Sequence, residues 1–228
     1  MSETALFFLS SFLAFLFAIC VHESAHALAA DRCGDPTARL LGRISLNPLR
    51  HIELFGTIVI PAVTAVSGLP MIGWAKPTPV DPSRLRRPRW DDMLVSAAGP
   101  ASNFLTALVA VGILAGIRSG SAEGAAVVES LAWTGSAPPP GSAFGAVALL
   151  LYRLLTISLV LGIFNLLPVP PLDGSHIVGQ LLPERARALY RSAGQYGFLI
   201  LLVIFWYTPL DEKLFRPAMD LFNKVLRH

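Results

Sequence analysis

An all-α polytopic membrane protein is the fold class this sequence predicts, on three observations. The 228 residues are 54% hydrophobic and only 14% charged, with a mean hydropathy of +0.59, unlike a water-soluble globule. Apolar runs recur at about residues 4–30, 93–117 and 143–167, each longer than the roughly 20 residues needed to cross a bilayer. Basic or Pro- and Gly-rich stretches separate them. The expected architecture is one integral-membrane domain over 1–228. It has about four transmembrane helices (the fourth at 194–210), a re-entrant or β-like membrane segment at 54–74, and an amphipathic C-terminal helix.

Composition also excludes. The net charge is only +3, and no basic run interleaved with aromatics suggests a nucleic-acid partner. Cys20 and Cys33, the only cysteines, read as free thiols and not as a disulfide framework. Residues 1–4 contain no Lys or Arg, so a signal peptide's positive start is missing and the first segment is expected to be retained. The composition leaves the oligomeric state open.

Segment 4–30 would make a helix of about 40 Å. Between Leu6 and Ala30 its only acidic, basic or histidine side chains are His22, Glu23 and His26. Ionisable groups in a membrane helix are costly and by default functional. These three form H-E-x-x-H. Residues four apart share a helix face, so both imidazoles can address one metal ion. Zinc suits them, because it takes imidazole nitrogen and lowers the pKa of its bound water to about 7. Glu23, one residue round the turn, is placed to take that water's proton and deliver it to a leaving amine. His22 lies about 12 Å below the end at Ala30, which sinks the centre into the membrane near one face.

Residues 31–53 are polar and carry four Arg; His51 there reads as a surface or satisfied histidine. Segment 54–74 is apolar but broken by Gly56, Pro61, Gly68, Pro70 and Gly73, which suits a re-entrant element better than a straight span. Its start, with Leu54, Gly56 and Ile58, has the β-propensity to pair with an extended substrate strand. Residues 75–92 carry Lys76, Arg84, Arg86, Arg87 and Arg89, a cytoplasmic signature. In span 93–117 the small residues of Ala98-Gly99-Pro100-Ala101-Ser102-Asn103 permit close helix approach, with Asn103 read as a structural hydrogen-bonder. Residues 118–142, with Pro138-Pro139-Pro140, read as a flexible non-cytoplasmic loop. Span 143–167 runs into Asn165-Leu166-Leu167-Pro168-Val169-Pro170-Pro171-Leu172-Asp173-Gly174, and Asp173 is the natural third ligand. The tail 211–228 reads as an amphipathic helix along a membrane surface.

If Asp173 joins His22 and His26, the exits of the first and 143–167 spans share a membrane face. An even number of crossings then separates them, so one of the intervening apolar segments does not cross. Both loops flanking 54–74 are Arg-rich and favour the cytoplasm, which singles out that segment. The N-terminus is then non-cytoplasmic, and the site opens toward the cytoplasm.

The motifs together resemble the site-2 protease family of intramembrane zinc metalloproteases, in a short bacterial type without a PDZ domain. They are His22-Glu23-Ser24-Ala25-His26, Gly42-Arg43 to Gly56-Thr57, Gly73-Trp74-Ala75-Lys76-Pro77, Ala98 to Asn103, and Asn165 to Gly174. The resemblance implies one zinc per chain on His22, His26 and Asp173, Glu23 as general base, and Asn165 positioning substrate or stabilising the oxyanion. It implies a cell-membrane enzyme that cleaves single-pass membrane proteins in or near their transmembrane segments. Ser24 stands where relatives often carry a bulky apolar residue. The main alternative is a transporter of protons or divalent metal using the same cluster, although no internal repeat favours it. A catalytically dead scaffold is a third reading, against which all four residues are retained.

Overall fold

The computed structural model describes residues 3–67, 73–136, 142–209 and 211–227. In chain order its helices are α1 (Glu3–Cys33), α2 (Thr37–Leu40), α3 (Ile60–Ser67), α4 (Pro88–Gly120) and α5 (Ala122–Thr134). Then follow α6 (Gly145–Asn165), α7 (Asp173–Leu181), α8 (Glu184–Ala193), α9 (Gly197–Tyr207) and α10 (Arg216–Arg227). Among the described residues α1, α4 and α6 are long and apolar enough to span a membrane. The chain is a multi-pass membrane protein.

Side-chain contacts give the directions of the three spans. The Arg153 guanidinium, early in α6, lies 4.0 Å from the Phe7 ring centroid, early in α1. At the opposite end His26, late in α1, meets Val95, early in α4, and Asp173, just past α6. So α1 and α6 run together and α4 runs against both. The main core lies among α4, α5 and α6, where Leu114, Val128, Leu131, Leu149 and Leu155 are fully buried. Leu105, Leu108 and Ile113 on α4 and Leu13 and Phe17 on α1 stay exposed, as side chains facing lipid do.

Several expectations need correction. Residues 54–60 do not form a strand: Leu54–Val59 is a π-helical turn that continues into α3. The Glu53 carboxylate accepts from Gly56 N at 2.5 Å and starts that turn. Short runs of Ile, Val and Phe fit an apolar helix as well as a strand, so propensity there could not choose. Trp74 N–H donates to Gly56 O at 3.0 Å and Lys76 N–H to His51 O at 2.8 Å, so residues 74–76 lie beside 51–56. Residues 68–72 lie outside the described residues.

The expected loop 118–142 contains α5, capped at its start by Ser121 Oγ accepting from Gly124 N and closed at its end by Gly135 (φ 63°). Val127, Val128, Leu131 and Ala132 bury one face of it in the core. Pro138–Pro140 are outside the described residues. The tail does not simply lie on a membrane surface, because α10 buries Leu226 in the core with Met219 and Phe222 packed beside it. In 194–210, a 3₁₀ turn leads into α9 of 11 residues, about 16 Å of helix against a 30 Å hydrocarbon core.

Candidate metal centre

His22 and His26 sit one turn apart on α1, both buried, with Nε2 atoms 3.0 Å apart. Asp173, the first residue of α7, places Oδ2 3.2 Å from His22 Nε2 and 3.3 Å from His26 Nε2. Three potential ligand atoms thus form a nearly equilateral triangle. The donor chemistry tests whether a metal suits them. His26 Nδ1 is 2.7 Å from the Val95 carbonyl, which accepts only, so Nδ1 carries the proton and Nε2 of the neutral ring offers a lone pair. A ligating histidine characteristically donates its other N–H in this way. Two imidazole nitrogens and a carboxylate oxygen are also the donor set of His₂-carboxylate zinc sites. The residues fit the ion.

Neighbouring helices fix this triangle. Gly99 on α4 faces the two rings so closely that a Cβ there would fall on His26 Nε2. Pro100 follows, leaving the Ser96 carbonyl without its helical N–H partner in the turn that addresses His26. On the other side the Pro168–Leu172 turn delivers Asp173. A Cβ at Gly174 would strike the Leu166 carbonyl, so the chain can fold back this tightly only with glycine there. Tyr190 of α8 donates its hydroxyl to Pro168 O at 2.7 Å. Gln180 of α7 donates to Asp92 of α4 at 2.7 Å, while His176 Nδ1 lies 3.8 Å from the same carboxylate. Asp173 is therefore held from both sides.

Glu23 is engaged from a segment with no regular structure. Thr78 N–H donates to Glu23 Oε2 at 2.8 Å, and the Thr78 hydroxyl lies 2.7 Å from that oxygen and 3.0 Å from the Glu23 carbonyl. His51 is fully buried and not on the surface; its Nε2 donates to Ser45 O at 2.7 Å. Ser24 donates to the same carbonyl at 2.5 Å, so the polar residue at that position pins α1 to the 45–51 loop. Asn165, the last residue of α6, donates its amide to Leu161 O at 3.0 Å, one turn back in its own helix. Asn103 is fully buried on α4, and neither end of its amide meets a partner among the described residues. Leu54 and Ile58, the expected strand positions, lie on the π-helical turn and are exposed, whereas Gly56 is buried.

Sequence reasoning did not find Thr78, Asp92, or the roles of Val95 and Gly99. The small-residue run around Gly99 is the one available signal, and by itself it points only to close helix packing.

Comparisons with known proteins bear on this geometry. The model of a family described as Peptidase family M50 matches residues 10–207. The chain is 37% identical over 201 residues to "Putative zinc metalloprotease YwhC" of Bacillus subtilis (strain 168), covering 88% of this chain and 81% of that protein. It is 30% and 31% identical to proteins of the same description called Rip2, from Mycolicibacterium smegmatis and Mycobacterium tuberculosis (strain H37Rv). Each of these alignments covers 91% of this chain and 71% of the relative. No solved structure matches.

Proposed function

The chain belongs to peptidase family M50, the site-2 protease family of zinc metalloproteases, and from that premise we propose that it hydrolyses peptide bonds within the membrane. Its substrates are membrane proteins, cut in or near their transmembrane segments. The observation carrying this reading is the triangle of His22, His26 and Asp173 inside three apolar spans, with Glu23 next to His22. Zinc, when bound there, supplies a Lewis acid that makes water nucleophilic at neutral pH and polarises a carbonyl.

The chain's own groups do the rest. His26 keeps its Nδ1 proton on Val95 O, which fixes its ring and leaves Nε2 for the metal. Glu23 receives a proton from water as the water oxygen attacks the scissile carbonyl carbon. It returns that proton to the amide nitrogen as the C–N bond breaks, so a carboxylic acid and an amine leave. Asn165, assigned to substrate by the family resemblance, gives one amide hydrogen to Leu161 O and keeps the other to donate to substrate. The reaction centre faces the cytoplasm and the N-terminus lies outside. In support, Arg32, Arg39, Arg84, Arg86, Arg87 and Arg89 gather where α1 ends and α4 begins.

A quenched-fluorescence single-span peptide in detergent, offered to zinc-loaded protein, tests the proposal. Glu23→Gln is expected to keep about one zinc per chain and to lose cleavage by about a thousandfold. Cleavage by Glu23→Gln at the wild-type rate would sink the reading.

A further inference from the structure

We infer that Thr78 is a positioning residue for the catalytic carboxylate: its backbone N–H and hydroxyl hold one oxygen of Glu23 and leave the other free to take a proton from water. The inference rests on Glu23 being the general base. Oε2 takes the Thr78 N–H at 2.8 Å and lies 2.7 Å from the Thr78 hydroxyl, whereas Oε1 takes no hydrogen bond from any described residue. The hydroxyl has one proton and two acceptors, Oε2 and the Glu23 carbonyl at 3.0 Å. It can therefore keep hold of α1 if the carboxylate rotates.

The chain around Thr78 suits this task. Thr78 stands between Pro77 and Pro79, so it owns the only backbone N–H of three residues, and both flanking φ angles are fixed by rings. The residue before each proline is confined to extended conformations, which covers Lys76 and Thr78. The run is pinned on either side. Thr57 donates its hydroxyl to Trp74 O at 2.8 Å, and Lys76 N–H donates to His51 O at 2.8 Å. Beyond it, Asp81 N–H donates to the buried Asp35 carboxylate at 2.7 Å. A stiff, doubly anchored segment thus presents two donors to a side chain 55 positions earlier. Alignment within a few tenths of an ångström is what a general base needs, and small misplacements are costly.

The experiment compares wild type, Thr78→Val, Thr78→Ser and Glu23→Gln as zinc-loaded proteins in detergent on the single-span fluorogenic peptide, measuring kcat, KM and zinc per chain. Valine keeps the shape and the N–H but removes the hydroxyl. Thr78→Val is expected to lower kcat about tenfold, leaving KM within about twofold and zinc at about one per chain. Thr78→Ser restores the hydroxyl and is expected within about twofold of wild type. Unchanged or raised kcat in Thr78→Val overturns the inference, as does a change confined to KM. So does a serine variant as slow as valine, and so does loss of zinc, which would assign the residue to folding. If Glu23→Gln cleaves normally, the reading of Glu23 falls and this inference with it. If Glu23→Gln is inactive and Thr78→Val is unimpaired, only this inference falls.

Discussion

The three spans enclose ionisable groups at two opposite ends, and the ends solve the problem of burial differently. At one end Arg153 of α6 is buried, with Nη2 donating to Gly135 O at 2.7 Å and its guanidinium against the Phe7 ring. A carbonyl and an aromatic face are neutral partners that a cation satisfies itself with. Arg153 therefore ties α6 to α1 and α5, although its Nε meets no partner among the described residues. At the other end His22 Nε2, His26 Nε2 and Asp173 Oδ2 face one another at 3.0–3.3 Å. That arrangement suits a positive ion at its centre. Asp35 makes the contrast within one residue type. It too is a buried carboxylate, but it receives Thr37 N–H at 3.0 Å, the Thr37 hydroxyl at 2.5 Å and Asp81 N–H at 2.7 Å. Buried charge facing complementary partners is architecture; a buried carboxylate gathered with two imidazole nitrogens around one point is a candidate site.

Substitutions can break that comparison at either end. The largest effect is expected from Asp173→Ala, which removes one corner of the triangle. Zinc measured by atomic spectroscopy should fall from about one per chain to near none while the helical circular dichroism persists. Retained zinc would mean that two imidazoles suffice. Next, Gly99→Ala should weaken zinc affinity 10- to 100-fold in a competition titration, since the added Cβ displaces His26 from its ligating pose.

At the structural end the pattern reverses. Arg153→Ala should leave zinc content unchanged and lower unfolding stability in detergent by about 2 kcal/mol, through the lost hydrogen bond, ring contact and packing. Loss of zinc in that variant would erase the distinction between the two ends.

The smallest effect concerns Asp35. Burial raises its carboxyl, but the Thr37 hydroxyl and the Thr37 and Asp81 N–H groups hold it below the ordinary carboxylate range. A depressed folded-state value means the stabilisation is present above the unfolded value of about 4 and is lost as pH falls below it. Chemical denaturation followed from pH 6 to pH 3 should show this loss in wild type and a shallower one in Asp35→Asn.

How much of this was legible in the sequence depended on how local the information was. The i, i+4 spacing of His22 and His26 needs only one helix, and an apolar run of span length announces itself. Asp173 was reachable because proline-rich backbone after a span needs a protein cavity. The Leu54–Val59 turn was misread because composition cannot separate a short apolar strand from a short apolar helix. The helix α5 was missed because Pro138–Pro140 and a few charges drew the whole of 118–142 toward a loop, although Val127, Val128 and Leu131 lie at helical spacing.

The sequence by itself determined the membrane-protein class, the paired histidines with Glu23 between them, and the order of the spans. Each of these is written in periodicities and lengths that one segment carries alone. Only the tertiary structure decided that Val95 O sets the His26 tautomer, that Gly99 makes room for both rings, that His51 is buried under Ser24, and that Thr78 holds Glu23. Those are contacts between groups 27 to 77 positions apart. Every residue has a carbonyl and nearly every one an N–H, so no residue type marks which of them will arrive at the site.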